Sequence, residues 1–298
     1  MAFQRVLFIG ATGNLGAPVA AQMLRAGYRV RALVRDPARA AADPRLAGAE
    51  LVPGDVLDRA SVAAAMQGCG AAYSNLSGAS FELADSTEYR GIRTLCELAR
   101  EQQLAWLGSI SGAGDLAAAN QLRPLAVKAA CERAVAESGV PWTLFKPSHF
   151  FESLPMFVRA GRIAIPGRQP HRYHYLAAQD YARVVVAAMA DSGCHHRRLT
   201  LHGPEVLTMA EALAIFRDAR YPGARVGTMP LWLMRLLGRV SGNTELARVA
   251  ELFATFQAHG DDGIASELPA GFPALTTTSR ASPSSTCWSR RASSRAPW

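Results

Sequence analysis

The chain has 298 residues, 49% of them apolar and 19% charged, which is the composition of a folded globular protein and excludes a disordered chain. Its net charge of +8 points to no nucleic acid, because the basic residues form no cluster with interleaved aromatics before the last two dozen positions. No stretch approaches the roughly 20 apolar residues of a spanning helix, and residues 1–9 are too short for a signal peptide, so a soluble cytoplasmic protein with no membrane partner is expected.

Residues 5–9, Arg-Val-Leu-Phe-Ile, form a short apolar run ended by glycines and predict a buried parallel strand. A helix over 17–26 and a strand over 29–34 follow. The same alternation returns with strands at 51–52, 71–76, 106–110 and 142–145, separated by helices at about 59–67, 86–103 and 122–138. Strands alternating with long helices mean right-handed crossovers, and so an α/β fold with a doubly wound parallel sheet covered on both faces. Beyond Pro147 the rhythm loosens into 150–158, a helix over 178–190, a strand near 199–202 and a helix over 209–220, read as a small C-terminal substrate lobe. The expected organisation is a nucleotide-binding domain over 1–154, remaining sheet elements and the small lobe over 155–275, and a tail over 276–298. That tail, rich in serine and arginine without periodicity, is expected to be disordered. Its abrupt onset after 268–275, which reads as the approach to a final helix, suggests an atypical terminus such as a shifted reading frame would give.

Gly10-Ala11-Thr12-Gly13-Asn14-Leu15-Gly16 stands directly after the first strand and opens the first helix. In that context the three glycines serve different ends. Gly10 permits the tight turn, Gly13 lets the backbone approach a pyrophosphate, and Gly16 lets helix and strand pack closely. The bland reading is a glycine-rich turn without a ligand. At the end of the second strand stands Arg35, where an NAD binder offers an acid to the ribose hydroxyls. A guanidinium there pairs with a 2′-phosphate, so NADP(H) is favoured and NAD(H), served by Asp36, is the alternative. Gly54-Asp55-Val56 offers an acceptor to the adenine amino group, although Asp55 suits equally a helix cap. Asn75, Leu76 and Ser77 would lie along the cofactor.

Taken together, Gly10 to Gly16, Val34-Arg35-Asp36-Pro37, Gly54-Asp55, Ser109 and Ser111, the isolated Lys128, and Lys146-Pro147 with Phe150-Phe151 resemble the NmrA-like branch of the atypical short-chain dehydrogenases, a Rossmann-fold family. The resemblance covers about residues 5–275 and is sharpest before Leu154. It implies either an NADPH-dependent quinone or isoflavone reductase, or a nucleotide-sensing regulator that catalyses nothing. Ordinary members of the wider group place a tyrosine four residues before the lysine as proton donor; here Pro124 stands in that place. The resemblance implies that Lys128 holds the nicotinamide ribose or donates toward a carbonyl, against the bland reading of a solvated helix lysine. Ser109 and Ser111 are candidates to bind substrate or carboxamide, or simply start a turn. His149, after the sixth strand, is a candidate proton source near neutral pH or a hydrogen-bonded wall residue. Phe150, Phe151 and Phe157 suit a pocket wall or plain core, and Asp180 a structural place near a helix start.

The five cysteines, Cys69, Cys96, Cys131, Cys194 and Cys287, lack disulfide or zinc spacing and read as reduced thiols. Cys194, His195, His196 and His202 are not read as metal ligands, since no supporting ligand stands at suitable spacing. The leading expectation is an NADPH-dependent oxidoreductase of quinone-like or other carbonyl acceptors, whose products stabilise their own charge and so tolerate the missing tyrosine. The alternatives are a non-catalytic NADP(H) sensor and, more weakly, a nucleotide-sugar epimerase or dehydratase. Partners expected are a small apolar carbonyl or quinone-like substrate, with a second copy of the chain or a regulatory protein beyond it.

Overall fold

A computed structural model describes residues 3–77, 80–114, 122–159, 161–259 and 265–277. In chain order the elements are β1 (Arg5–Ile9), α1 (Gly16–Arg25), β2 (Arg29–Val34), α2 (Pro37–Ala41), β3 (Glu50–Pro53), α3 (Arg59–Met66), β4 (Ala71–Ser74), α4 (Thr87–Glu101), β5 (Trp106–Ile110), α5 (Arg123–Ala136) and β6 (Trp142–Pro147). There follow β7 (His149–Phe150), a 3-10 segment (Phe151–Phe157), β8 (Val158–Arg159), β9 (Arg162–Pro166), β10 (Arg172–Leu176), α6 (Ala178–Ala190) and β11 (Arg197–Leu201). The chain continues through β12 (Glu205–Thr208), α7 (Met209–Arg220), β13 (Arg225–Met229), α8 (Leu231–Ser241) and α9 (Thr244–Ala258). The tail over 278–298, with Cys287, lies outside the described residues.

Two compact units share these elements. The first runs to Pro147 and recovers Ala178–Leu201 and Ser266–Ala274; the second takes Ser148–Ala177 and the described part of His202–Ala265. In the first unit seven strands lie in the order β11-β6-β5-β4-β1-β2-β3, all parallel, which is the doubly wound arrangement with β11 added at one edge. Parallel strands need crossovers, and the helices these supply cover both faces of the sheet.

Side chains on alternate residues of a strand face opposite ways, so β1 feeds two cores. Leu7 and Ile9 pack with Val62 and Met66 of α3, Ile92 and Leu95 of α4, and Val127, Cys131 and Val135 of α5. On the other face Phe8 meets Tyr73 edge-on at 4.9 Å, and Tyr73 shares a 2.6 Å hydrogen bond with Tyr181 of α6. Burial pushes the pKa of Tyr181 far up and that of Tyr73 up, so both phenols stay neutral and serve the core.

The second unit holds two three-stranded sheets, β12-β10-β7 and β13-β9-β8. Its core gathers Phe151, Leu154, Phe157, Tyr173, Tyr175, Leu213, Phe216 and Phe253. Phe150, Phe151 and Phe157 are 6%, 1% and 5% exposed, so these three are buried in the core. Helix α7 starts with a reciprocal cap in which Thr208 and Glu211 each bond the other's backbone N–H.

Candidate nucleotide-binding site

The turn between β1 and α1 is built by close backbone approach. Gly10 has φ +87°, and a Cβ there would be driven into the carbonyl of Asn75, whose own N–H donates to the Ile9 carbonyl at 2.9 Å. A Cβ on Gly16 would fall on the Gly10 carbonyl oxygen, so α1 starts as near to the strand as a chain allows. Gly13 N–H donates to Gly10 O at 3.2 Å and Ala17 N–H to Gly13 O at 3.0 Å, closing the loop into a cradle. Leu15 begins α1 with no side-chain cap and no acid in the first turn. The positive end of the helix is therefore left for an anion. Thr12 and Asn14 are exposed on the turn, Leu15 is half-buried and Gly16 buried.

The strand ends beside this cradle are in register: Leu33, Ile9, Ser74, Ser109 and Leu144 form one row across β2, β1, β4, β5 and β6. In and beside that row, Ser74 Oγ and Asn75 Oδ1 are buried and lack hydrogen-bond partners among the described residues. Leaving a buried polar atom unpaired costs roughly 1–3 kcal/mol, so two such atoms beside a glycine cradle suit a polar ligand. The residues present thus fit a dinucleotide, with its diphosphate on the turn.

Around the cradle, Arg35 follows β2, exposed and in no ion pair among the described residues. Asp36 is instead the N-cap of α2, where its carboxylate accepts the Arg39 N–H at 3.0 Å. The capping role considered for Asp55 belongs to Asp58, which accepts Ala60 N–H at 3.0 Å and the Ser61 hydroxyl at 2.8 Å. Asp55 accepts the Leu57 N–H at 2.9 Å in a local turn, leaving an exposed carboxylate oxygen. Val56 and Leu76 are half-buried against Gly91 of α4, where a Cβ would come within 2.7 Å of Val56 and 3.0 Å of Leu76. Ser77 is exposed.

Lys128 is neither isolated nor solvated. Its Nζ lies 2.5 Å from Glu88 Oε1, and the two side chains are 25% and 5% exposed. Burial lowers its pKa, but the charge of Glu88 and its hydrogen bond, with smaller contributions from Cys131 and Glu132, outweigh that and leave it raised. Lys128 is therefore a fixed cation.

Ser109 is 3% exposed, and among the described residues its hydroxyl reaches only the Ile110 carbonyl, at 3.4 Å. Ser111 is committed elsewhere: its hydroxyl donates to Glu132 Oε1 at 2.7 Å. Buried Glu132 also receives Lys146 Nζ at 3.4 Å and Arg198 Nε at 3.2 Å, which ties α5 to β6 and β11. Glu88 and Glu132 carry two charged centres that the sequence alone did not single out. Their signal was present, since Glu88 precedes Ile92 and Leu95 at the spacing of the buried stripe of α4.

In the second unit the His149 ring lies 3.9 Å from that of Tyr173, and Tyr173 Oη donates to the Phe256 carbonyl at 3.0 Å. Tyr175 Oη is buried without a partner among the described residues, and burial raises its pKa. His174 stacks on His202 at 4.2 Å. Back in the first unit, Asp180 is fully buried in the first turn of α6 and holds Arg183 Nη2 at 2.6 Å. The Cys194 thiol donates to Asp191, and His196 packs edge-on against Trp142.

Comparison with known proteins gives these contacts a context. A family described as NAD(P)H-binding matches residues 10–192. The photosystem II assembly factor Ycf39 of Trieres chinensis is 24% identical over 251 residues, 80% of this chain and 76% of that protein. The (4-alkanoyl-5-oxo-2,5-dihydrofuran-3-yl)methyl phosphate reductase of Streptomyces griseus is 30% identical over 218 residues, 70% of this chain and 71% of that protein. Among solved structures, the NADPH complex of the NADPH-dependent quinone oxidoreductase QOR2 of Escherichia coli superposes with a TM-score of 0.64. It is 20% identical and covers 86% of this chain and 92% of its own. With the cradle, the sheet order and these likenesses in agreement, the chain belongs to the NAD(P)H-binding family.

Proposed function

We propose that the chain is an NADPH-dependent reductase of quinone-like or other carbonyl acceptors. The observation that carries the choice of cofactor is Arg35, an exposed guanidinium without an ion pair among the described residues, at the tip of the strand next to the glycine cradle. A 2′-phosphate would give it charge-assisted hydrogen bonds, whereas the nearest acid, Asp36, is engaged as a helix cap. NADPH when bound supplies the hydride.

The roles of the chain's own residues follow. The Gly10–Gly16 backbone, with Thr12, Asn14 and Leu15, takes the diphosphate, and Arg35 takes the 2′-phosphate. Asp55 accepts from the adenine amino group beside Val56, and Asn75, Leu76 and Ser77 border the nucleoside. Lys128, kept cationic by Glu88, holds ribose hydroxyls and is poorly suited to release a proton. Ser109 Oγ, with only a long bond to a carbonyl, donates to the carboxamide or to an acceptor oxygen. Proton delivery is assigned to water. The neighbouring quinone oxidoreductase and the reductase relative support this class of acceptor, and the four cysteines among the described residues, all buried and free, support a reducing, cytoplasmic setting.

Two observations favour a second reading, a sensor of NADP(H) occupancy that acts on a protein partner. Pro124 replaces the tyrosine acid, and Lys128 is locked to a carboxylate. The test mixes purified protein with NADPH and a panel of quinones, aldehydes and enones while absorbance is followed. Turnover that Lys128→Ala removes supports the reductase; tight NADPH binding without turnover on any acceptor overturns it in favour of the sensor.

A further inference from the structure

Helix α8 has two unlike sides. Met234 and Gly238 are buried and seat it on α9; a Cβ on Gly238 would come within 3.0 Å of the Asn243 carbonyl and 3.1 Å of Ala247 N. The other side presents Trp232 at 65%, Leu236 at 48%, Leu237 at 44% and Val240 at 80% exposure. At about 100° per residue these four span an arc of about 140°. Arg235 and Arg239, both exposed, follow one margin of that arc, and α8 contains no acid. Single exposed apolar residues are ordinary, but four large ones forming one face of an eleven-residue helix mark a contact surface.

We propose that α8 is an interfacial helix that lays its Trp232, Leu236, Leu237 and Val240 face on an anionic lipid surface, with Arg235 and Arg239 reaching the headgroup phosphates. Charge decides between occupants. A second copy paired face to face through α8 would offer Arg235 and Arg239 no acid to meet, since α8 contains none. The chain's segment 276–298 holds four arginines and no acid, so it does not complement the face either. Across 221–258 the chain carries Arg225, Arg235, Arg239 and Arg248 against Glu245 and Glu251, within a total net charge of +8. An apolar face with a tryptophan and an arginine margin matches the boundary between acyl chains and anionic headgroups. At about 1.5 Å per residue α8 is roughly 16 Å long, half of a hydrocarbon core, so it lies on the membrane and does not cross it. The expectation of no membrane partner rested on spanning segments, which an interfacial helix does not need. The proposal stands apart from the reductase reading.

The test is flotation of the full chain with vesicles of pure phosphatidylcholine and with vesicles of equal parts phosphatidylcholine and phosphatidylglycerol. The chain is expected to float with the second, to stay behind with the first, and to be released by salt. At about fivefold per arginine, Arg235→Gln with Arg239→Gln is expected to lower the partition coefficient roughly twenty-five-fold. Trp232→Ala and Val240→Asp are expected to lower it about tenfold each. All four substitutions are at exposed positions, and unchanged circular dichroism and melting show that the fold is kept. Absence from the anionic vesicles overturns the proposal, as does flotation that Trp232→Ala and Val240→Asp leave unchanged. A dimer, or a complex with an acidic protein, that Val240→Asp abolishes in the absence of any vesicle binding overturns it equally.

Discussion

Lys128 Nζ and Glu88 Oε1, 2.5 Å apart, join the middle of α5 to the first turn of α4 across the buried contact of those helices. The raised lysine pKa gives the sign of the pH dependence. A cation whose folded pKa exceeds the unfolded value of about 10.4 contributes stability that is complete below that value and lost as pH rises through the folded one. The pair is thus intact throughout the neutral range. Removing one partner strands the other, at about 3–5 kcal/mol for a fully buried pair and less here, because Lys128 is a quarter exposed. Glu88→Leu or Lys128→Met alone is expected to cost about 2 kcal/mol by denaturant titration, and the double variant to regain most of it. NADPH affinity, measured by calorimetry on the same proteins, is expected to stay low in the double variant. Full recovery of affinity would reduce the pair to packing.

Arg35 offers a comparison within one protein. Charge-assisted hydrogen bonds are worth about 1.5–3 kcal/mol, so Arg35→Gln is expected to weaken NADPH roughly ten- to a hundred-fold and to leave NADH within about a factor of two. Arg35→Glu is expected to go further, adding repulsion toward the 2′-phosphate. Calorimetric titration of each variant with both nucleotides checks this; equal losses for the two would remove Arg35 from cofactor choice.

The sheet was legible in the sequence because buried parallel strands are mostly apolar runs bounded by breakers and charge, as Val6 to Ile9 is between Arg5 and Gly10, and as Trp142 to Phe145, polar only at Thr143, is between Pro141 and Lys146. The turn at Gly10 was legible because its context, strand before and helix after, is local. The partners of Lys128 and Ser111 were not, since Glu88 and Glu132 lie 40 and 21 residues away and only the packing of α4, α5 and β5 brings them together. Helix α8 escaped for a different reason. Leu231 to Leu237 is apolar except for Arg235, so no periodicity stands out, and Pro230 provides no side-chain cap to mark its start.

The thiols give a prediction with a chemical readout. Burial pushes Cys96 and Cys131 up to about 12 and Cys194 to about 11, and raises Cys69 as well. The thiolate is the nucleophile, so all four are expected to resist iodoacetamide at neutral pH in the native chain and to react fully once it is unfolded. Mass spectrometry of the digested protein resolves each site. The same shifts make the native state lose stability as pH rises above the ordinary thiol value of about 8.5 toward the folded ones. Rapid native labelling of Cys96 or Cys131 would contradict the packing of α4 against α5.

Two glycines with one dihedral angle separate backbone strain from close approach. Gly10 and Gly27 both have φ +87°, a conformation that costs an ordinary residue roughly 1–2 kcal/mol. Around Gly27 a Cβ would meet nothing within 4 Å, whereas at Gly10 it would meet the Asn75 carbonyl. Gly27→Ala is therefore expected to cost about 1 kcal/mol and to leave NADPH binding unchanged. Gly10→Ala carries the same strain and must also move either the turn or the end of β4, so its cost is expected to exceed that of Gly27→Ala by about 2 kcal/mol. The displacement falls on Asn75 and on the donors facing the diphosphate, so NADPH affinity is expected to drop at least about a hundred-fold, whereas stability lost at Gly27 leaves affinity alone. Melting curves and calorimetry on the two variants separate the effects, and equal behaviour of the pair would mean that the contact between Gly10 and Asn75 is not what shapes the cradle.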